Sequence, residues 1–257
     1  MARWAVFPYA DARYENTPAT LKKRWSRLHR GDCEPFPKED EVIAAWIDYH
    51  AGRFGDAIER GLAAGPAGIC VANKAACVHA TYLEKSASRK AKLLQEAGER
   101  AEAQQQREPK NFNAFYLYAF AIGRYSQGLS VAKALAQGLG GKVRDALVRT
   151  IALQPKHADA HIALGTFHAE VVDKVGATIA RVTYGAKREE AFRLFRRALE
   201  LNPDSAIARI EFANAMAMLD GRKALKDAEA LYAQAAECEA LDAMERLDVE
   251  AARKELE

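Results

Sequence analysis

The sequence predicts an all-α protein, a right-handed α-solenoid of about five helix pairs, two of them lengthened by an inserted short helix. Two observations carry this. First, Arg107-Glu108-Pro109, Leu153-Gln154-Pro155 and Leu201-Asn202-Pro203 end three segments alike, with prolines 46 and 48 residues apart. Each is followed by a helix-forming run, Asn113-Ala114-Phe115, Asp159-Ala160-His161 and Ile207-Ala208-Arg209. Proline stops one helix and the next starts a few residues on, and a period of this length built of paired helices is that of a helical repeat. Second, apolar residues recur at helical spacing, and no stretch sustains the two-residue alternation of a half-buried strand.

Four of the eight prolines fall within the first 37 residues, so residues 1–37 read as an extension with one helix and 38–257 as the repeat domain. In the extension, Thr17-Pro18 is a cap followed by a first-turn proline, and Leu21, Trp25 and Leu28 recur at helical spacing. Gly31-Asp32 ends that helix, and Cys33-Glu34-Pro35-Phe36-Pro37 is extended because residues before proline are pushed out of helical geometry. The first pair follows, with Ala44-Ala45, a turn at Gly52, then Phe54 and Ala57, closing near Gly65-Pro66. A second pair covers 67–84 and 87–107, joined by Ser86-Ala87-Ser88. The third and fourth pairs are longer, and the fifth, with Phe212-Ala213, Ala228, Tyr232 and Ala235, lacks a closing proline. A charged helix from Asp242 to Leu256 caps the array.

Composition excludes several classes. With 257 residues, 49% hydrophobic and 28% charged, the chain is neither disordered nor too short for a sizeable core. No apolar run reaches the roughly 18 residues of a membrane span. The apolar stretch of Met1–Pro8 is too short for a secretory core, so a cytoplasmic location is expected. Cys70 and Cys77 lie about 10.5 Å apart along one predicted helix and cannot bridge, so reduced thiols are expected. A net charge of +3 gives no argument for a nucleic-acid partner. Its distribution is uneven: Lys22, Lys23, Arg24, Arg27 and Arg30 form an acid-free stretch, while residues 228–257 hold nine acids against three bases. Such polarity belongs to solvated helix faces or to ends that steer charged partners.

The spacing of Leu164, Gly165, Ala191, Phe195, Ala198 and Pro203 resembles the tetratricopeptide repeat (TPR), and the pattern recurs around Ala45/Ala57 and Ala213/Ala228. The third and fourth repeats depart from it by about a dozen extra residues between their helices. Each insert reads as a short apolar helix (Val131 and Leu135; Val175 and Ile179) followed by a glycine turn, at Gly140-Gly141 and at Gly185. This lengthened form, with His161, Leu164-Gly165, His168 and the Phe195/Ala198/Leu201/Pro203 ending, is similar to bacterial relatives of the regulator-of-microtubule-dynamics family over 110–218. The resemblance implies a helical adaptor, with lipid-binding members and no shared catalytic site.

Candidate chemistry is sparse. His157, His161 and His168 share one helical side, but His161 and His168 stand about 10.5 Å apart along the axis, too far for one zinc ion bound at about 2 Å from each nitrogen. Gly138-Leu139-Gly140-Gly141-Lys142-Val143 lacks the first glycine, the hydroxyl and the preceding strand of a phosphate loop. Gly128-Leu129-Ser130-Val131-Ala132 lacks the setting of a nucleophile elbow. The expectation is a protein without enzyme activity, metal or other cofactor.

Aromatics are densest at Phe112, Phe115, Tyr116, Tyr118, Phe120 and Tyr125. Register sends Phe115, Tyr118 and Ile122 toward the paired helix and Tyr116, Phe120 and Arg124 toward the concave face. The equivalent positions nearby are Trp46 and Tyr49; Asn73 and Cys77; Asp159, Ile162, Thr166 and Glu170; Ile210 and Asn214. Either the inserted helices fold over these side chains and enlarge the core, or they line a groove for an extended peptide or protein segment. A third expectation makes the protein a carrier of a lipid or other hydrophobic ligand, in a pocket roofed by the inserts.

Overall fold

The computed structural model describes residues 4–257, apart from the side chains of Val131, Ala132 and Leu135; the apolar face expected of the first insert, Val131 and Leu135, lies outside the described side chains. Among the described residues every regular element is helical. The chain forms two compact units: residues up to His29, Glu34–Leu153 and Leu241–Met244 make the first, and Arg30–Cys33, Gln154–Ala240 and Glu245–Glu257 the second.

The first unit contains α1 (Pro18–Leu28), α2 (Asp40–His50), α3 (Phe54–Ala63), α4 (Ile69–Val78), α5 (Ala87–Arg107), α6 (Phe112–Gln127), α7 (Val131–Ala136) and α8 (Leu139–Leu153), with a π-helical turn at His79–Leu83 prolonging α4. Helices pair as α2 with α3, α4 with α5 and α6 with α8, and the leading helices α2, α4 and α6 are neighbours in that order. The second unit contains α9 (Ala158–Val175), α10 (Ala177–Tyr184), α11 (Arg188–Leu201), α12 (Ala206–Asp220), α13 (Leu225–Ala236) and most of α14 (Ala243–Glu255). Here α9 pairs with α11 and α12 with α13.

The recurring prolines mark one turn made three times. Two residues after Pro109, Pro155 and Pro203 come Asn111, His157 and Ser205, whose side chains accept the backbone N–H of Ala114, Ala160 and Ala208 at 3.1, 3.0 and 3.1 Å. Each cap residue's own N–H donates to the carbonyl three residues back, Glu108, Gln154 or Asn202. Such caps satisfy amides that the first helical turn leaves unpaired, each contributing about 1 kcal/mol. In α1, Thr17 and Thr20 form a reciprocal capping box ahead of Pro18.

Both inserts contain a short helix, α7 and α10; Val175, expected in the second, is instead the last residue of α9, and α10 begins after Gly176. The glycine turn after α7 is at Gly138 (φ 63°), a left-handed conformation that glycine adopts without steric cost. Gly140 and Gly141, expected to form it, lie inside the first turn of α8. Gly185 (φ 65°) ends α10 as expected.

The second unit's core is built on Phe195, fully buried and stacked on Phe212 at 5.3 Å, with Phe192 5.4 Å from Phe212. Burying one such ring stabilises by about 1.5–3 kcal/mol. Ala191, Ala198 and Ala208 let the helices approach it. The first unit is centred on Trp25, which stacks on His29 at 3.8 Å and meets Trp46 edge-on at 5.5 Å. Beneath them, buried His50 donates from Nδ1 to the Asp242 carboxylate at 2.7 Å, and its Nε2 faces His29 Nε2 at 3.2 Å. Arg24 Nη2 donates to the Leu241 carbonyl at 2.6 Å, holding the same short segment. No described helix is long and apolar enough to cross a membrane.

Candidate functional site

The extension decides how much of the leading-helix face stays open in the first unit. Its α1 packs on α2, Trp25 Nε1 donates to the Glu34 carbonyl at 2.7 Å, and the Glu34 carboxylate accepts from Asn113 Nδ2 in the first turn of α6. The chain's own extension thus occupies ground that repeat register assigns to a groove. Trp46 and Tyr49, expected to line that groove, are 1% exposed, part of an aromatic cluster with Trp25, His50 and Phe54. Their apolar area lowers the free energy more inside that cluster than in water, which is why they are core.

The far end of α6 differs. Tyr116 is mostly buried, while Phe120 and Arg124, one and two turns later, are half-buried. The Tyr116 and Phe120 rings lie 6.1 Å apart, and Arg124 Nη1 donates to Gln127 Oε1 at 3.2 Å. On α4, Asn73 is fully buried and its Oδ1 accepts from Arg100 Nε at 2.8 Å. Cys77, one turn on and also fully buried, has its thiol pushed up to about 12 by burial, against the lowering influence of Arg100 and Arg124. Burial likewise pulls the Arg100 guanidinium below the ordinary arginine value, opposed by Glu96, Cys77 and Glu99. The structure therefore pairs Asn73 of α4 with Arg100 of α5 and aligns Tyr116, Phe120 and Arg124 along α6, with Arg100 and Arg124 both acting on Cys77.

Arg100 is not among the residues expected from sequence, because register assigns the groove to leading helices and α5 is the second of its pair. A signal is present all the same: the buried stripe of α5 runs Leu94, Ala97, Ala101 and Gln104, and Arg100 sits at its edge, where an apolar residue is the norm.

In the second unit, Ile162 is buried in the Phe195 core. Thr166 is half-buried and its hydroxyl donates to Glu211 Oε2 at 3.3 Å; Glu170 pairs with Lys174 at 3.0 Å; Asn214 Oδ1 accepts the Tyr232 hydroxyl. These polar positions are engaged within one helix (Glu170), across a helix pair (Asn214) or between the leading helices α9 and α12 (Thr166). Insert α10 packs on α9 but leaves Ile179 and Val182 57% and 82% exposed, so those side chains do not enlarge the core.

The histidines serve structure. His157 caps α9, His161 Nδ1 donates to the His157 carbonyl at 2.9 Å, and His168 Nδ1 accepts the Lys187 N–H at 3.0 Å. Among the described residues no group of three or more histidine, cysteine or acidic side chains is arranged to hold a metal ion.

Comparison with known proteins agrees with this architecture. No curated protein sequence matches the chain. The crystal structure of a thermophilic TPR protein from Thermus thermophilus is similar at a TM-score of 0.58 and 17% identity, covering 84% of this chain and 98% of that one. At that identity the likeness speaks for the fold, an α-solenoid of TPR-like helix pairs. Residues 70–257 match the family described as regulator of microtubule dynamics protein 1-3. That stretch takes in both lengthened repeats and the terminal cap, and the chain belongs to the regulator of microtubule dynamics protein 1-3 family.

Proposed function

We propose that this protein is a non-catalytic interaction module that captures an extended peptide or protein segment on the α4–α6 face of its first unit. The observation that carries the proposal is the Tyr116–Phe120–Arg124 stripe, whose last two side chains keep part of their surface in solvent beyond the ground taken by the extension. Aromatic side chains supply large contact area at low conformational cost, and arginine adds a charge-assisted bond to a carboxylate. A TPR-like fold supports protein partners in general.

The test is a fluorescence-anisotropy screen of labelled acidic peptides against the wild type and Phe120→Ala/Arg124→Ala. Saturable binding that the double variant loses, with an unchanged circular dichroism spectrum, is the expected result. Peptides that bind both proteins equally would refute the site. Native mass spectrometry of freshly purified protein separates the carrier alternative, since only a carrier would retain a small apolar mass.

A further inference from the structure

His79 is fully buried, and neither of its ring nitrogens has a hydrogen-bond partner among the described residues. A neutral imidazole carries one donor and one acceptor, so this site leaves both unmatched, which native structures rarely do. The Trp4 indole lies edge-on against the ring, with centroids 5.1 Å apart. It rests on Gly55 of α3, where a Cβ would stand 2.2 Å from the indole, and it donates from Nε1 to Glu59 Oε1 at 2.7 Å. After Trp4, Ala5 and Val6 are exposed, and Phe7 is buried in a separate seat on Gly52 among the rings of Tyr9, Tyr14 and Phe54.

The charges around His79 are already committed. Glu84, which ends the π-helical turn, favours a proton on the imidazole and Arg89 of α5 opposes it, but the two pair with each other at 3.1 Å. Glu84 also accepts the Ser86 N–H. On α3, Glu59 is taken by the indole; α4 carries one charged residue, Lys74, set over the Tyr49 ring at 5.8 Å; the segment from Trp4 to Ala10 carries none. A proton on His79 would thus be a buried charge without a free counter-ion, and hydrating it requires that a neighbour give way. Trp4 is the neighbour that can: it belongs to no helix, is half-buried, and is followed by two exposed residues, so it can leave while Phe7 stays seated.

We propose that Trp4 is a proton-operated latch, closed on His79 while the imidazole is neutral and released from its Gly55–Glu59 seat when the imidazole is protonated. Release bares the indole and its notch on α3 together, while Phe7 holds the rest of the extension in place. Burial lowers the pKa of His79 in the closed form, whereas a hydrated imidazole titrates near 6.5. The latch is therefore closed above about pH 6.5 and opens as pH falls below it, by at most about tenfold per pH unit for one proton.

The experiment uses the full chain and reads two NMR signals, the titration of His79 Cε1–H and the hydrogen-exchange protection of the Trp4 indole N–H, corrected for intrinsic exchange. Protection of Trp4 should fall roughly three- to tenfold between pH 7.5 and 5.5, while that of the Trp25 indole, bonded to the Glu34 carbonyl, holds. His79→Leu should make Trp4 protection independent of pH, and so should His79→Gln, a second variant that cannot titrate. Glu59→Gln keeps an acceptor for the indole and should retain the fall. Because linkage is reciprocal, Trp4→Ala should raise the His79 pKa toward the ordinary value of about 6.5. The proposal is overturned by Trp4 protection that stays flat or falls in step with Trp25, by a fall that persists in the His79 variants or vanishes in Glu59→Gln, or by a His79 pKa that Trp4→Ala leaves unchanged or lowers, as a cation–π contact would give.

Discussion

Gly165 on α9 faces the ring of Phe195 on α11: a Cβ built at Gly165 would stand 3.0–3.2 Å from three atoms of that ring. The phenyl group is fully buried and stacked on Phe212, so it has little room to retreat. Gly165→Leu should overpack this crossing and lower stability by about 1–3 kcal/mol. Chemical denaturation at neutral pH checks it; an unchanged midpoint would mean that α9 and α11 do not meet here.

The α6 stripe makes the opposite prediction. Phe120 and Arg124 are half-buried, so Phe120→Ala with Arg124→Ala should cost about 1 kcal/mol or less in stability. Binding of an acidic peptide should nevertheless fall by at least about tenfold. A loss of several kcal/mol in the melt would assign the pair to the core instead.

His79 opens a π-helical turn, is fully buried against Trp4, and has neither ring nitrogen hydrogen-bonded among the described residues. Burial lowers its pKa below the ordinary histidine value, as it does for His161. The native state then binds fewer protons than the unfolded chain below about pH 6.5, so stability present above that pH is lost as pH falls toward the depressed native values. His79→Leu should leave stability at pH 7.5 unchanged or higher and reduce the loss between pH 7 and 5. Melting curves across that range test it, and an unaltered acid slope in the variant would be the contrary result.

Cys70 and Cys77 act at the alkaline end. Burial raises both thiols, Cys77 to about 12, so in strong base the unfolded chain sheds protons that the native state keeps. Their contribution is complete below the unfolded thiol pKa of about 8.5 and is lost as pH rises from there. From pH 8.5 to 10 Cys77 should remove on the order of 1–2 kcal/mol, and Cys70 acts in the same direction. Cys77→Ala should flatten that decline in urea titrations. In the native protein neither thiol should react with a disulfide reagent before unfolding.

What could be read from the sequence was local. The prolines after Glu108, Gln154 and Asn202, the Thr17-Pro18 start and the Leu164-Gly165/Phe195 crossing all follow from neighbours within a turn or from a repeated spacing, and the helices and inserts stand where those signals put them. The site was only partly readable. Trp46 and Tyr49 occupy groove positions by register, but a separate helix brings Trp25 against Trp46 and both are buried in one aromatic cluster, and no periodicity within a repeat encodes what an extension will do. Arg100 escaped because its partner, Asn73, lies on another helix 27 positions away. The turn at Gly138 was misplaced onto Gly140-Gly141, since three glycines so close leave the local sequence undecided about which takes the left-handed conformation.

The short segments Arg30–Cys33 and Leu241–Met244, each belonging to the unit that does not hold its sequence neighbours, limit how this molecule can be made and remade. Repeat arrays are ordinarily modular, since each repeat touches only its neighbours and copies can be added or lost. Here Arg24 and His50 wait for groups 217 and 192 positions ahead. On the ribosome the histidine pair therefore lacks its acid until Asp242 has been synthesised, late for a helical protein whose other contacts are mostly local. Neither unit is encoded by one uninterrupted stretch of gene, so no single cut through the chain yields both units whole.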